Sequence, residues 1–219
     1  MKSQVLLSTA YLAPVQYYTK FISYQRVFIE QFESYHKQTY RNRCLILAAN
    51  GPIALSIPVE GGPSAKSQMK DLHLSYDHNW QHLHWRSILS AYKNSPFFDY
   101  YADDLAPFYH TRNWKYLIDF NNEIQNVILE AINIKPSITC TGSYVKSEDI
   151  TPDIKDFRYT IHPKLQKQEP DEDFLPTPYS QVFQDKIPFT PNLSILDLLV
   201  NEGPGALSVL KSCTKNGEF

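Results

Sequence analysis

The feature that most constrains this chain is a short, wholly apolar run, Val5-Leu6-Leu7, followed by Ser8-Thr9 and then by Ala13-Pro14. Neighbouring strand residues point to opposite sheet faces, so three apolar side chains in succession fit a strand covered on both. Proline at a helix start has the φ a helix needs and lacks only an N–H that would go unbonded there. The expected unit is strand, turn, helix, with the helix running through about Tyr24. Tyr17, Phe21 and Tyr24, spaced by four and three, share one helix face and are expected to pack on the sheet. Open α/β sheets place ligands beyond the carboxyl ends of their strands, so Tyr11 in this turn is a candidate binding residue, with packing as the alternative.

The rest of the chain extends the pattern. Apolar residues predict strands over 27–30, 43–49 and 53–59, and Asn50-Gly51 between the last two is a hairpin signal. Pro58 puts the end of that return strand at an edge. The small and polar residues from Glu60 to Gln68 form a surface loop, either a lid or a connection. A short strand is expected over 71–76. Asp77 or Asn79 then caps a helix carrying Trp80, His84, Ser87, Ile88, Ala91 and Tyr92 on one stripe, ended by Ser95-Pro96. Helical spacing recurs over 104–109 and 115–132. Periodicity is lost from Lys135, and residues 146–178, rich in Pro and charge, suggest an excursion over the surface. Short helices follow Pro191-Asn192-Leu193-Ser194 and cover 206–213. The expectation is a single α/β domain over residues 1–219, with a mixed β-sheet flanked by helices and an irregular segment before the C-terminal helices.

Composition narrows the function. A net charge of -2 does not suit nucleic acid or an anionic membrane, so no nucleic-acid partner is expected. No window approaches the apolar length of a membrane span, and the amino-terminal apolar run is too short for a secretory signal. Cys44, Cys140 and Cys213 are odd in number and far apart, which fits a reducing compartment and a cytoplasmic protein. The P-loop, GxGxxG, GxSxG and HExxH patterns are absent from the sequence, and no cofactor is expected.

The densest set of hydrogen-bonding side chains is Tyr35 to Arg43. Lys37, Arg41 and Arg43 offer cations and Gln38 and Asn42 amides, a set suited to a carboxylate or phosphate; a solvated loop is the other reading. His73, His78, His82 and His84 invite a metal reading, although His82 and His84 fall on different helix faces. His84 lies on the buried stripe just before Trp85-Arg86, where general acid–base chemistry and core packing both fit. Cys44, beside Arg41 and Arg43, is either an activated thiol or a buried inert one.

Several blocks together resemble the WbqC-like proteins of bacterial polysaccharide gene clusters. They are Ser8-Thr-Ala-Tyr-Leu-Ala-Pro, Lys37-Gln-Thr-Tyr-Arg-Asn-Arg, His84-Trp-Arg-Ser-Ile with Ala91-Tyr92 and Ser95-Pro-Phe-Phe, and Pro191-Asn-Leu-Ser-Ile-Leu-Asp-Leu-Leu with Asn201-Glu-Gly-Pro. Ala13 stands where the family commonly has a second proline. The resemblance implies transfer of glycine or a related acyl group to an activated sugar during O-antigen or other surface-polysaccharide assembly. In that reading Lys37, Arg41 and Arg43 hold the anionic group of the ligand and Asn42 and Gln38 orient it. Tyr11 and Tyr92 complete the binding set, and His84 with Arg86 manages proton and charge. The alternatives are a non-catalytic glycan- or partner-binding module using the same cations and aromatics, and a metal-dependent hydrolase built on the histidines.

Overall fold

The structure, a computed structural model, describes residues 2–61 and 67–215. The loop expected between Glu60 and Gln68 has its centre, 62–66, outside the described residues. The amino-terminal unit forms as the residues dictate: strand β1 (Lys2–Ser8), helix α1 (Val15–Ser23) and strand β2 (Tyr24–Glu30), with β1 and β2 parallel and Val5 opposite Val27. Tyr17 and Phe21 pack from α1 as expected. Tyr24 does not share their helix face, because the chain turns from helix to strand there without a linker.

A hairpin follows. Strands β3 (Arg43–Ala48) and β4 (Gly51–Ser56) are antiparallel, and Gly51 at φ 116° takes a backbone conformation that side chains disfavour. Residues 71–76 do not form the expected strand; they make isolated bridges, Val59 to Leu74 and His73 to Tyr116, after a 3-10 turn over Met69–Asp71. Helix α2 (Trp80–Tyr92) buries Trp80, His84, Ile88, Ala91 and Tyr92 on the expected stripe. Helices α3 (Phe98–Leu105), α4 (Pro107–His110) and α5 (Leu117–Ala131) complete the central part, α5 burying Leu117, Phe120, Ile124 and Ile128.

Past Lys135 the chain departs from the expectation. Strand β5 (Ser137–Cys140) pairs with β2, and strand β6 (Ile154–Asp156) pairs with β1, giving a four-stranded parallel sheet in the order β5-β2-β1-β6. The stretch 146–178 is therefore not purely a surface excursion. Its middle returns to the sheet and buries Phe157 and Arg158, which three- and four-residue edge strands with one covered face do not announce by apolar runs. Helix α6 (Ile195–Glu202) opens with Ser194, whose hydroxyl accepts from the Leu196 N–H and donates to the Leu12 carbonyl. Helix α7 (Ala206–Ser212) follows Gly203.

Both strand senses are thus present, parallel in the larger sheet and antiparallel in the hairpin, around one continuous apolar core shared by the strands and α1, α2, α5 and α6. Among the described residues no helix is long and apolar enough to cross a membrane.

Candidate functional site

Strand order reverses at β1: the connection through α1 leads to β2 and β5 on one side, and β6 returns to the other. Ligands of open parallel sheets lie beyond the carboxyl ends of the strands at such a reversal. Here that position is filled by a buried ion network. Glu33 receives Arg41 through Nε at 2.8 Å and through a second, very close contact from the other guanidinium nitrogen, which also donates to Ser8 Oγ at 2.7 Å. Arg158, just past β6, clasps Asp156 at 2.8–3.1 Å and reaches Glu30 Oε2 at 3.3 Å and the Val145 carbonyl at 2.6 Å. Glu30 also takes the Thr141 hydroxyl at 2.9 Å. What remains at the reversal is a cavity of about 10 Å³ between Ser8, Tyr40, Arg41 and Arg158. That is about enough for one water.

This network settles where the expected cation cluster goes. Arg41 is 4% exposed and committed to Glu33, so it frames the site instead of standing open to an anion. Asn42 is also inside, its amide donating to the Ile57 carbonyl at 2.8 Å. Arg43 lies on β3 and donates to Ser56 Oγ across the hairpin at 2.9 Å. Lys37 and Gln38 are exposed, Gln38 at φ 61° accepting from Lys164 Nζ at 2.5 Å. One contiguous sequence motif therefore splits into two buried framing residues, a strand residue and an exposed loop.

The α2 candidates point elsewhere. Tyr11 is fully enclosed, its hydroxyl 3.1 Å from His84 Nδ1 and 2.8 Å from the Tyr109 hydroxyl, with the Tyr11 and His84 rings stacked at 5.7 Å. The same turn carries Leu12 at φ 39°, an unusual backbone for a branched side chain. Burial lowers the His84 pKa to about 4, against a smaller opposing effect of its hydrogen bond with the Ser56 backbone. His84 is 4% exposed and Arg86 is exposed, so the two do not form one proton-handling pair. Tyr92 accepts from the Leu47 N–H at 3.1 Å and lies against Asp197, whose carboxyl burial raises above the usual range while bonds from Tyr179, Gln181 and Tyr92 oppose the rise. Cys44 is buried and its thiol pushed up by burial, which makes it inert. Among the described residues no three metal-ligating side chains come together, and His73 instead meets Glu60 at 2.9 Å, so the histidine run disperses in space.

A ligand-sized space opens beside the network. A groove of about 620 Å³ runs between the start of α1, Tyr40, Leu45, residues 163–176 and Pro191-Asn192. That volume lies in the range of small-molecule sites. Its floor is polar and tightly organised: Gln16 donates from Nε2 to Asp171 at 2.9 Å and accepts from Asn192 Nδ2 at 3.0 Å, and Asn192 Oδ1 takes the Gln16 N–H at 2.9 Å. Asp171 is held by buried Lys20 at 2.5 Å. Asn192 sits at φ 56°, a conformation asparagine tolerates. The walls are apolar, from Phe174, Leu45 and four prolines, with Gln168 and Glu169 between them.

Basic groups border this groove. Lys164 and Lys167 are exposed next to its wall at Pro163, and His36 and His162 stand close by. Both histidines have lowered pKa values, first from burial and then from nearby cations: Arg41 and Lys167 for His36, and Lys167, Arg41 and Lys164 for His162. His162 Nδ1 already accepts the Lys164 N–H at 3.0 Å, which leaves His36 as the imidazole here with a ring nitrogen open to a proton.

Sequence reasoning found Tyr40, Pro191 and Asn192 as motif members but missed Gln16, Glu33, Arg158 and Asp171. Glu33 carried one usable signal, an acid shortly before a run of cations. Arg158 and Asp171 sat in a charged, proline-rich stretch without periodicity.

No curated protein and no solved structure matches this chain. The profile of the WbqC-like protein family matches residues 9–169, well over half of the sequence, and includes the turn that follows β1, the Arg41–Glu33 frame and the groove wall through Glu169. The chain belongs to the WbqC-like protein family.

Proposed function

We propose that the protein binds an activated sugar in the groove beside the carboxyl edge of the sheet, as a transferase of surface-polysaccharide assembly. The observation that carries this reading is the groove's lining. Gln168 and Glu169, an amide and a carboxylate, are the usual hydrogen-bond partners of hydroxyl groups, Gln16 and Asn192 fix the floor beneath them, and Phe174 and the prolines offer flat apolar faces for the C–H side of a sugar ring. Lys164 and Lys167 beside the wall supply the charge a phosphate on that sugar needs.

Transfer of an acyl or aminoacyl group places a sugar hydroxyl or amine against the carbonyl carbon of a donor. The nucleophile loses its proton as the new bond forms and the donor's leaving group departs. Exposed His36, whose pKa burial and Arg41 lower and which interacts with Lys167 on the groove side, suits the role of proton acceptor by position better than enclosed His84, which acts through Tyr11 on the packing of the turn.

The test is a thermal-shift panel of sugar phosphates, nucleotide-sugars, unphosphorylated glycans, acyl-CoA compounds and amino acids. Saturation at about one hundred times Kd adds roughly 2.7 kcal/mol, a rise of several degrees in Tm for a domain of this size. The expected result is a rise with a phosphorylated sugar that is lost in Gln168→Ala/Glu169→Ala. A rise unchanged in that variant overturns the assignment of the groove. A rise with unphosphorylated glycans alone favours a binding module over a transferase.

A further inference from the structure

Among the described residues only six large apolar or aromatic side chains are exposed, and two of them, Tyr144 (42%) and Tyr159 (44%), are neighbours at the carboxyl edge of the sheet. Their side chains interact closely enough that Tyr144, after burial, helps raise the Tyr159 pKa. Behind them stand the framing arginines: the Arg158 guanidinium lies over the Tyr144 ring at 5.4 Å and over the Tyr159 ring at 5.9 Å, and that of Arg41 lies over Tyr159 at 5.9 Å. Each ring therefore has a cation on its inner side and solvent beyond. The His36 and Tyr159 rings stand nearly perpendicular, with centroids 6.3 Å apart.

This platform joins the groove through short links. Thr160, next to Tyr159, donates to Glu169 on the groove wall at 3.1 Å, and Arg41 adjoins Tyr40, which lines the groove. His36 meets Tyr159 on one side and interacts with Lys167 on the other, and His162, Lys164 and Lys167 flank the groove residues Pro163 and Gln168. The order along this edge is flat aromatic faces, then basic side chains, then a hydroxyl-binding groove. A nucleoside diphosphate sugar has the same order of parts: base, pyrophosphate, sugar.

We infer that the activated sugar is a nucleotide-sugar whose base stacks on Tyr144 and Tyr159. The inference rests on the groove assignment above and adds the chemical class of the activating group. The arginine behind each ring holds the platform rigid and leaves its outer face for stacking, which is tolerant of base identity because every base presents a π face.

The test is calorimetric titration of the full chain with nucleoside diphosphates of each base, with inorganic pyrophosphate and with a sugar 1-phosphate, on wild type and on Tyr144→Ala, Tyr159→Ala, Tyr144→Phe and Tyr159→Phe. A nucleoside diphosphate should bind more tightly than pyrophosphate. Each Ala variant should weaken that binding roughly 5- to 150-fold, the range of one stacked base, while the Phe variants keep most of it. The sugar 1-phosphate should be indifferent to all four. If the nucleoside diphosphate binds no better than pyrophosphate, or if Phe weakens it as much as Ala, base stacking is overturned; binding of the sugar 1-phosphate then leaves the groove assignment standing. If neither ligand binds, both fail.

Discussion

At the scale of single residues, burial decides which side chains can meet a ligand. Arg41 and Glu33 are a buried pair, and removing one partner leaves the other charge uncompensated, at a cost of about 3–5 kcal/mol. Arg41→Ala should therefore lower stability by that amount in urea unfolding, whereas Arg41→Met combined with Glu33→Leu should lose much less. Equal losses in the two proteins would contradict the buried-pair account. His84 gives a pH-dependent prediction. Its folded pKa near 4 lies below the ordinary value of about 6.5, so the unfolded chain binds the extra proton first as pH falls. The stability associated with His84 is thus present above about pH 6.5 and falls between about 6.5 and 4, the loss reaching about 3 kcal/mol at the acid end. Unfolding measured at pH 7 and pH 4 should show a drop in wild type exceeding that of His84→Gln by about this much; equal drops would show that His84 does not titrate inside the core. The burial of His84 was legible, since it falls on the apolar stripe of α2, whereas that of Arg41 was not, because an arginine in a polar run has an inward and an outward reading until a partner is known.

At the scale of elements, distant segments complete one another. Helix α1 begins after Pro14, which offers no side-chain cap, and the missing acceptor comes from Asn192, far along the chain. Asn192→Gly keeps the left-handed backbone but loses the acceptor, which should cost about 0.5–2 kcal/mol. Asn192→Ala should cost more, since it adds backbone strain at φ 56°. The order Gly above Ala in Tm is the expected result, and the reverse order would remove the strain argument. Long periodic elements such as α2 and α5 and the Asn50-Gly51 hairpin were legible because their patterns are local. Strands β5 and β6 were not, because an edge strand of three or four residues carries too few apolar positions to show a period and is defined by its pairing to β2 and β1.

At the scale of the whole molecule, the buried network at the strand ends and the groove beside it divide the work between them. The network ties β1, β2, β6 and the loop before β3 into a rigid edge, and the groove uses that edge, α1 and the segment through Phe174 as its walls. The motif blocks visible in sequence surround this region, but the groove's polar floor includes Gln16 and Asp171, which only the folding of residues 163–176 over α1 brings together. The most direct test is to record amide chemical shifts of the labelled protein during titration with a nucleotide-sugar. With the ligand in the groove, the largest changes fall on Gln16, Tyr40, Gln168, Phe174 and Asn192. Changes confined to the separate cavity of about 470 Å³ lined by Tyr100, Asp104, Glu130 and Leu207, with the groove silent, would contradict the groove assignment.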